Sequence, residues 1–218
     1  RRAYEQALDP YQEALALTQE LGDRPREGAM LNIIAKLQRD LNQPDQALAT
    51  LQQALTVSQA TNNTVLEKEE LTNLAKLYQR SGQKISALET YQQLLALTQP
   101  TDASGSPAEV LQQMSQLYLE LGQLDQALAT YQQLFSAARA AQNRSLEGTV
   151  LASIGALYST QQKFDQALTT YQQALTIAQE QKASALEQTI LSNLGETYNQ
   201  LGQFAEALNV YNQVWARA

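Results

Sequence analysis

The chain has 218 residues, 44 % hydrophobic and 17 % charged, the balance of a folded chain and not of a disordered one. Its 15 Lys and Arg against 22 Asp and Glu leave a net charge of −7, so nucleic acid is excluded as a partner for want of a basic face. It holds neither Cys nor His, which removes disulfides, thiol nucleophiles, the usual zinc sites and imidazole acid–base chemistry together.

No apolar run approaches the roughly 20 residues that cross a bilayer, so no membrane partner is expected. The chain opens on Arg1 and not on Met, and reads as a fragment of a longer protein. A lack of Cys fits any redox environment, so composition assigns no compartment; a cytoplasmic one is favoured.

Internal repetition governs everything that follows. Residues 1–22 read as half a repeat, because Ala7, Leu8, Tyr11, Ala14 and Leu15 fall 40 residues before Ala47, Leu48, Leu51, Ala54 and Leu55. Repeat 23–62 introduces two series with that period: Leu31, Leu71, Leu111, Leu151, Leu191, and Ala47, Ala87, Ala127, Ala167, Ala207. Asn42 separates its two helices, since Asn tolerates a left-handed backbone second only to Gly. Asp45 opens the second helix at the positive end of the helix dipole, as Asp125 and Asp165 do later.

In repeat 63–102, Thr64 with Glu67 reads as a capping box. Leu71, Leu74, Ala75 and Tyr78, then Ala87, Leu88, Tyr91, Leu94 and Leu95, show the i, i+3, i+4, i+7 spacing of two amphipathic helices. Gly82 between them stops the first helix in a left-handed conformation without a Cβ clash. Pro100 to Pro107 carries Pro, Asp, Ser and Gly and reads as an extended surface loop.

Repeat 103–142 starts from Ser106 as N-cap and Pro107 as first helical residue. In repeat 143–182 the joint position is Gln162, which breaks the Gly/Asn rule, so that turn is expected to be built differently or strained. Repeat 183–218 has Ser184 with Glu187 as a second capping box and Gly202 at its joint. The reading is one domain of eleven helices joined by short loops. Gln recurs at fixed positions such as Gln92, Gln132 and Gln172, as on a solvated helix face. Ten Tyr, three Phe and one Trp fall on recurring positions, which is a packing pattern and not a base-stacking platform. Glu67, Glu69 and Glu70 read as solvated carboxylates complementing a helix dipole.

The run Leu191, Leu194, Gly195, Tyr198, Ala207, Tyr211, echoed by Leu71, Leu74, Ala75, Tyr78, Ala87, Tyr91, resembles the tetratricopeptide repeat. The period of 40 instead of that family's 34 resembles its long-repeat branch, that of kinesin light chains, spindle-orientation adaptors and maltose-activator-like regulators. The resemblance implies an all-α fold, a right-handed α-solenoid of antiparallel helix pairs. The six extra residues fall where one repeat meets the next. There Gln59, Arg139 and Gln179 replace the family's usual Pro, which implies longer second helices.

By the family pattern the first helix of each repeat lines a concave groove. The candidate binding residues are then Asn32, Lys36, Arg39, Asn73, Lys76, Arg80, Gln113, Gln116, Ser153, Asn193 and Asn199. Amides both donate to and accept from a peptide backbone. Positive charge is confined to Lys36, Arg39, Lys76 and Arg80. Either this basic end grips an acidic or C-terminal carboxylate group, or it is a solvated face balanced by Asp40 and Glu69. The expected function is a non-enzymatic scaffold for a protein or peptide with an acidic segment, without cofactor or metal. The alternative is a regulatory or sensor module of a larger enzyme or signalling ATPase. Val214 and Trp215 lack the helix that would cover them, and weak end-to-end self-association through them is a further expectation.

Overall fold

The computed structural model describes residues 2–99 and 105–215, and within them eleven α-helices and no strand. Two compact units divide the chain, Arg1–Ser106 and Pro107–Ala218. The first holds α1 (Arg2–Glu20), α2 (Arg24–Asp40), α3 (Pro44–Ala60), α4 (Thr64–Arg80) and α5 (Lys84–Leu97). The second holds α6 (Pro107–Glu120), α7 (Leu124–Ala140), α8 (Arg144–Thr160), α9 (Phe164–Glu180), α10 (Ser184–Gln200) and α11 (Phe204–Trp215). Of the loop expected from Pro100 to Pro107, residues 100–104 lie outside the described residues; α6 starts at Pro107 as expected.

One joint recurs at nine places, from Gly22 to Gly202, though not after α5, which ends on an extended Thr98. At Asn42 the chain turns left-handed (φ 63°), the Asn42 N–H donates to the Arg39 carbonyl and the Gln43 N–H to the Gln38 carbonyl. That pair of bonds satisfies the last carbonyls of α2 and reverses the chain. Gln162 (φ 59°) makes the same kind of joint: its own N–H donates to Ser159 and the N–H of Lys163 to Tyr158. The turn there is therefore not built differently: Gln adopts the backbone that Gly adopts elsewhere. The joints between repeats, at Gly22, Asn62, Gln142 and Lys182, follow the same rule. The six extra residues lengthen helices on both sides of these joints, and α3, α7 and α9 each run 17 residues.

Both capping boxes are corrected. The N-cap of α4 is Asn63, whose side chain accepts from the Leu66 N–H at 3.2 Å, and Thr64 is already helical. The N-cap of α10 is Ala183, with no capping side chain. The carboxylates assigned to those boxes have another use. Gln59 Nε2 donates to Glu67 (3.1 Å) and Gln179 Nε2 to Glu187 (2.9 Å); Gln19 reaches Glu27 likewise (3.2 Å). Gln59 and Gln179, two of the residues standing where the family has Pro, thus tie the end of one helix to the first turn of the next, whereas Arg139 lies over the Phe135 ring of its own helix.

Cores form where the small-residue columns let helices approach. Ala47, Ala87, Ala127 and Ala167 are fully buried. Ala47 packs with Ala35, Leu51, Leu74 and Leu77 in the first unit, and Ala167 with Leu151, Tyr171, Ala174, Ile190 and Leu194 in the second. Each helix therefore buries its apolar stripe against sequence neighbours, as in a solenoid.

Candidate functional site

The even helices α2 and α4 lie side by side in the first unit. Lys36 and Arg39 are three residues apart on α2, and Lys76 and Arg80 four apart on α4, so each pair shares one helix face. The two faces converge on a shallow recess lined by Lys36, Arg39, Asn73, Lys76 and Arg80 over a floor of Ala35, Ala47, Leu51 and Leu77. Five of the eleven candidate residues thus meet in one place.

Part of this charge is balanced internally. Lys36 Nζ sits 2.6 Å from Glu69 Oε1, and Arg39 is 3.0 Å from Asp40 Oδ1. These are the partners that the balanced reading names, and both pairs are about two-fifths exposed, where an ion pair contributes on the order of 0–1 kcal/mol. Arg80 makes no ion pair among the described residues. Asn73 Nδ2 is buried without an acceptor. An apolar floor rimmed by cations and an unanswered amide donor favours a ligand that brings acceptors or negative charge.

Asn32 is not in this recess. It is buried (4 % exposed), and its Nδ2 donates to Glu70 Oε1 at 3.2 Å. Glu70 itself corrects the sequence reading, because it is not solvated but fully buried. The signal that reveals it is the repeat column: its counterparts are Met30, Val110, Val150 and Ile190, apolar in every other repeat.

In the second unit Gln113, Gln116 and Ser153 line a second recess with Gln112, Tyr131, Leu134, Leu146, Thr149 and Val150. No lining residue is charged. Gln116 Nε2 donates to Glu120 (3.2 Å), and Ser153 Oγ to the Thr149 carbonyl (3.1 Å). Burial pushes the Tyr131 hydroxyl above its ordinary range, and its hydrogen bond with Ser153 lowers it in part. Asn193 is half-buried and Asn199 exposed on α10, and neither lines these two recesses.

Among the described residues no helix is long and apolar enough to cross a membrane, and no group of three or more Asp or Glu is placed to hold a metal ion. On α11, Val214 is half-buried while Trp215 is 83 % exposed, with Phe204 and Leu208 exposed on the same helix.

Comparisons with known proteins agree with this architecture. A search of curated proteins finds no significant match. Among solved structures, BtubC (BKLC) from P. vanneervenii is similar at 20 % identity and a TM-score of 0.66, over 99 % of this chain and 91 % of that one. The nearly identical TPR-like repeats of a kinesin light chain candidate from Podosopora anserina match at 18 % identity and 0.64, over 86 % and 92 %. Aspartyl phosphate phosphatase F from Bacillus subtilis matches at 16 % identity and 0.65, over 93 % of this chain and 54 % of that one. At these identities the likeness is one of fold, an all-α solenoid of helix pairs. The family model described as tetratricopeptide repeat matches residues 2–60, 69–140 and 146–218. With that match over nearly the whole length, a period of 40 and the recurring left-handed joint, the chain belongs to the tetratricopeptide repeat family.

Proposed function

We propose that this chain is a non-catalytic scaffold that binds an extended segment of a protein partner, and that the recess of the first unit takes an acidic group of that segment. The observation that carries the reading is the recess itself: among the described residues Arg80 has no ion pair and Asn73 Nδ2 no acceptor, beside Lys76, over an apolar floor. A carboxylate, from a side chain or a chain terminus, answers those donors at once. The uncharged recess at Gln113, Gln116 and Ser153 suits a peptide backbone, whose N–H and C=O both find partners among amides and hydroxyls. Asn193 and Asn199 extend that amide character along α10.

Fluorescence anisotropy with peptides ending in acidic residues tests this. Each peptide is offered with a free and with an amidated C-terminus, to the wild-type chain and to a variant with Lys36, Arg39, Lys76 and Arg80 all changed to Glu. Wild type is expected to bind and the variant to lose more than about tenfold in affinity, as for loss of one or more charge-assisted hydrogen bonds. Weakening by amidation would identify a terminal carboxylate. Equal binding by the two proteins would overturn the recess assignment and turn attention to the sensor-module reading.

We propose in addition a weak self-association through α11, supported by the exposed Trp215, Phe204 and Leu208.

A further inference from the structure

One departure from the repeat columns meets two polar neighbours at one point of the first unit. Glu70 replaces an apolar residue, the column otherwise being Met30, Val110, Val150 and Ile190. Ser58 belongs to a column of Thr18, Thr98, Ala138 and Ala178, and Asn32 to one of Thr72, Gln112, Ala152 and Ser192. All three are buried, Glu70 and Ser58 completely. They come from three helices, α4, α3 and α2, so the cluster bridges the seam among them. Asn32 Nδ2 donates to Glu70 Oε1, and Ser58 Oγ is hydrogen-bonded to Glu70 Oε2.

Among the described residues no cation is paired with Glu70. On its own helix the charges that act on it are Glu67 and Glu69, both repulsive, and Lys68, two residues before it, is not among them. On α2, Lys36 is held by Glu69 at 2.6 Å and Arg39 by Asp40 at 3.0 Å. The one charge on α3 is Asp45, at its far end, and α5 carries Lys84 and Glu89 in its first half only. A buried, uncompensated carboxylate is costly, so the neutral acid is the form this site favours. Proton counting agrees. Ser58 has one hydroxyl proton, and its Oγ also lies 3.0 Å from the Leu55 carbonyl, which can only accept. A neutral Glu70 supplies the missing proton, giving an ordered chain from Glu70 O–H to Ser58 Oγ and from Ser58 O–H to the Leu55 carbonyl; when Glu70 ionises, the Ser58 O–H turns to the carboxylate and leaves the Leu55 carbonyl, which favours the charged form in part.

We infer that Glu70, Ser58 and Asn32 form a proton-operated latch across the α2–α3–α4 seam, closed when Glu70 is neutral and loosened when it ionises. Burial, reinforced by Glu69 and Glu67 and only partly offset by Ser58, pushes the Glu70 carboxyl up to about 7 from its ordinary 4.5. The folded state thus holds this proton more tightly than the unfolded one. Stability is greatest below the unfolded value, falls as pH rises from about 4.5 to about 7, and is level above that. The window reaches neutrality, and α2 and α4 carry the cations of the recess. The latch does not depend on what the recess binds.

Native-state hydrogen exchange of the whole chain, corrected for intrinsic rates, tests the inference. Opening of α3 and α4 should become up to about fiftyfold more frequent between about pH 5 and about pH 7.5, while α8 and α9 serve as the internal control. Glu70→Gln, which cannot ionise, and Glu70→Met, the residue of the first repeat, should abolish the dependence. By carbon NMR the Glu70 carboxyl should titrate near neutrality. Titration in the ordinary carboxylate range, or the same pH dependence in Glu70→Met as in wild type, would overturn the latch.

Discussion

Gln162 holds a left-handed backbone at a joint where Gly82, Gly122 and Gly202 hold the same conformation. A residue with a Cβ is disfavoured there by about 1–2 kcal/mol. Replacing it with Gly relieves that strain but enlarges the entropy of the unfolded chain, worth about 0.4–1 kcal/mol the other way. Gln162→Gly should therefore raise the stability of the chain by a few tenths to about 1 kcal/mol, read as a higher urea midpoint at unchanged slope. A lower midpoint would mean that the Gln side chain contributes something its backbone costs conceal. The joint is legible from sequence only where Gly or Asn marks it. At Gln162, Gln142 and Lys182 the two chain-reversing hydrogen bonds and the packing of the flanking helices impose the conformation on a residue that does not prefer it. Glu70 escapes a local reading for the opposite reason: three Glu within four residues resemble a solvated helix start, and only comparison down the repeat column separates the buried one from its neighbours.

At the scale of the helix pair, the small residue of the first helix faces a large one of the second: Ala35 and Leu51, Gly155 and Tyr171, Gly195 and Tyr211. At Gly155 the approach is closest to a buried ring, because a Cβ there would lie 2.7 Å from Tyr171 Cδ1 and Cε1. Tyr171 is buried and cannot swing outward. Gly155→Ala should cost about 1–3 kcal/mol by overpacking α8 against α9. Tyr171→Leu added to it recreates the Ala35–Leu51 pairing and should recover part of that loss. An unchanged melting temperature in the single variant would contradict this packing. The period of 40 makes such pairs readable from the residues alone, since it aligns every large residue with its small partner. It does not reveal the N-caps. Asn63 and Thr64 are both competent caps, and Ala183 is not one at all, so the joint and not the capping side chain fixes where α4 and α10 begin. The recess is legible to the extent that helical spacing puts Lys36 with Arg39, and Lys76 with Arg80, on one face each. Asn32 turns instead toward α4, where Glu70 takes its amide.

For the molecule as a whole, the exposed face of α11 and the net charge of −7 oppose one another. Leu48 and Leu168, which share the repeat position of Leu208, pack into cores that include residues of α4 and α10. So do Leu55 and Leu175, which share that of Trp215. Leu208 is 62 % exposed and Phe204 68 %. Burying side chains of this size contributes about 1.5–3 kcal/mol each, and three of them only just offset the roughly 4–15 kcal/mol that association costs in lost freedom. Two like-charged copies also repel, over a range that salt shortens to about 10 Å at 0.1 M. The association should therefore be weak and should strengthen, not weaken, as salt is raised. In sedimentation velocity the wild-type chain should gain weight-average coefficient with concentration, more so at high salt. Trp215→Glu, which removes the largest apolar group and adds a charge, should sediment as a monomer throughout. A wild-type chain that stays monomeric at the highest concentration, or an association unchanged by Trp215→Glu, would show that α11 is not the contact; weakening by salt would show that attraction between charges, and not apolar burial, drives it.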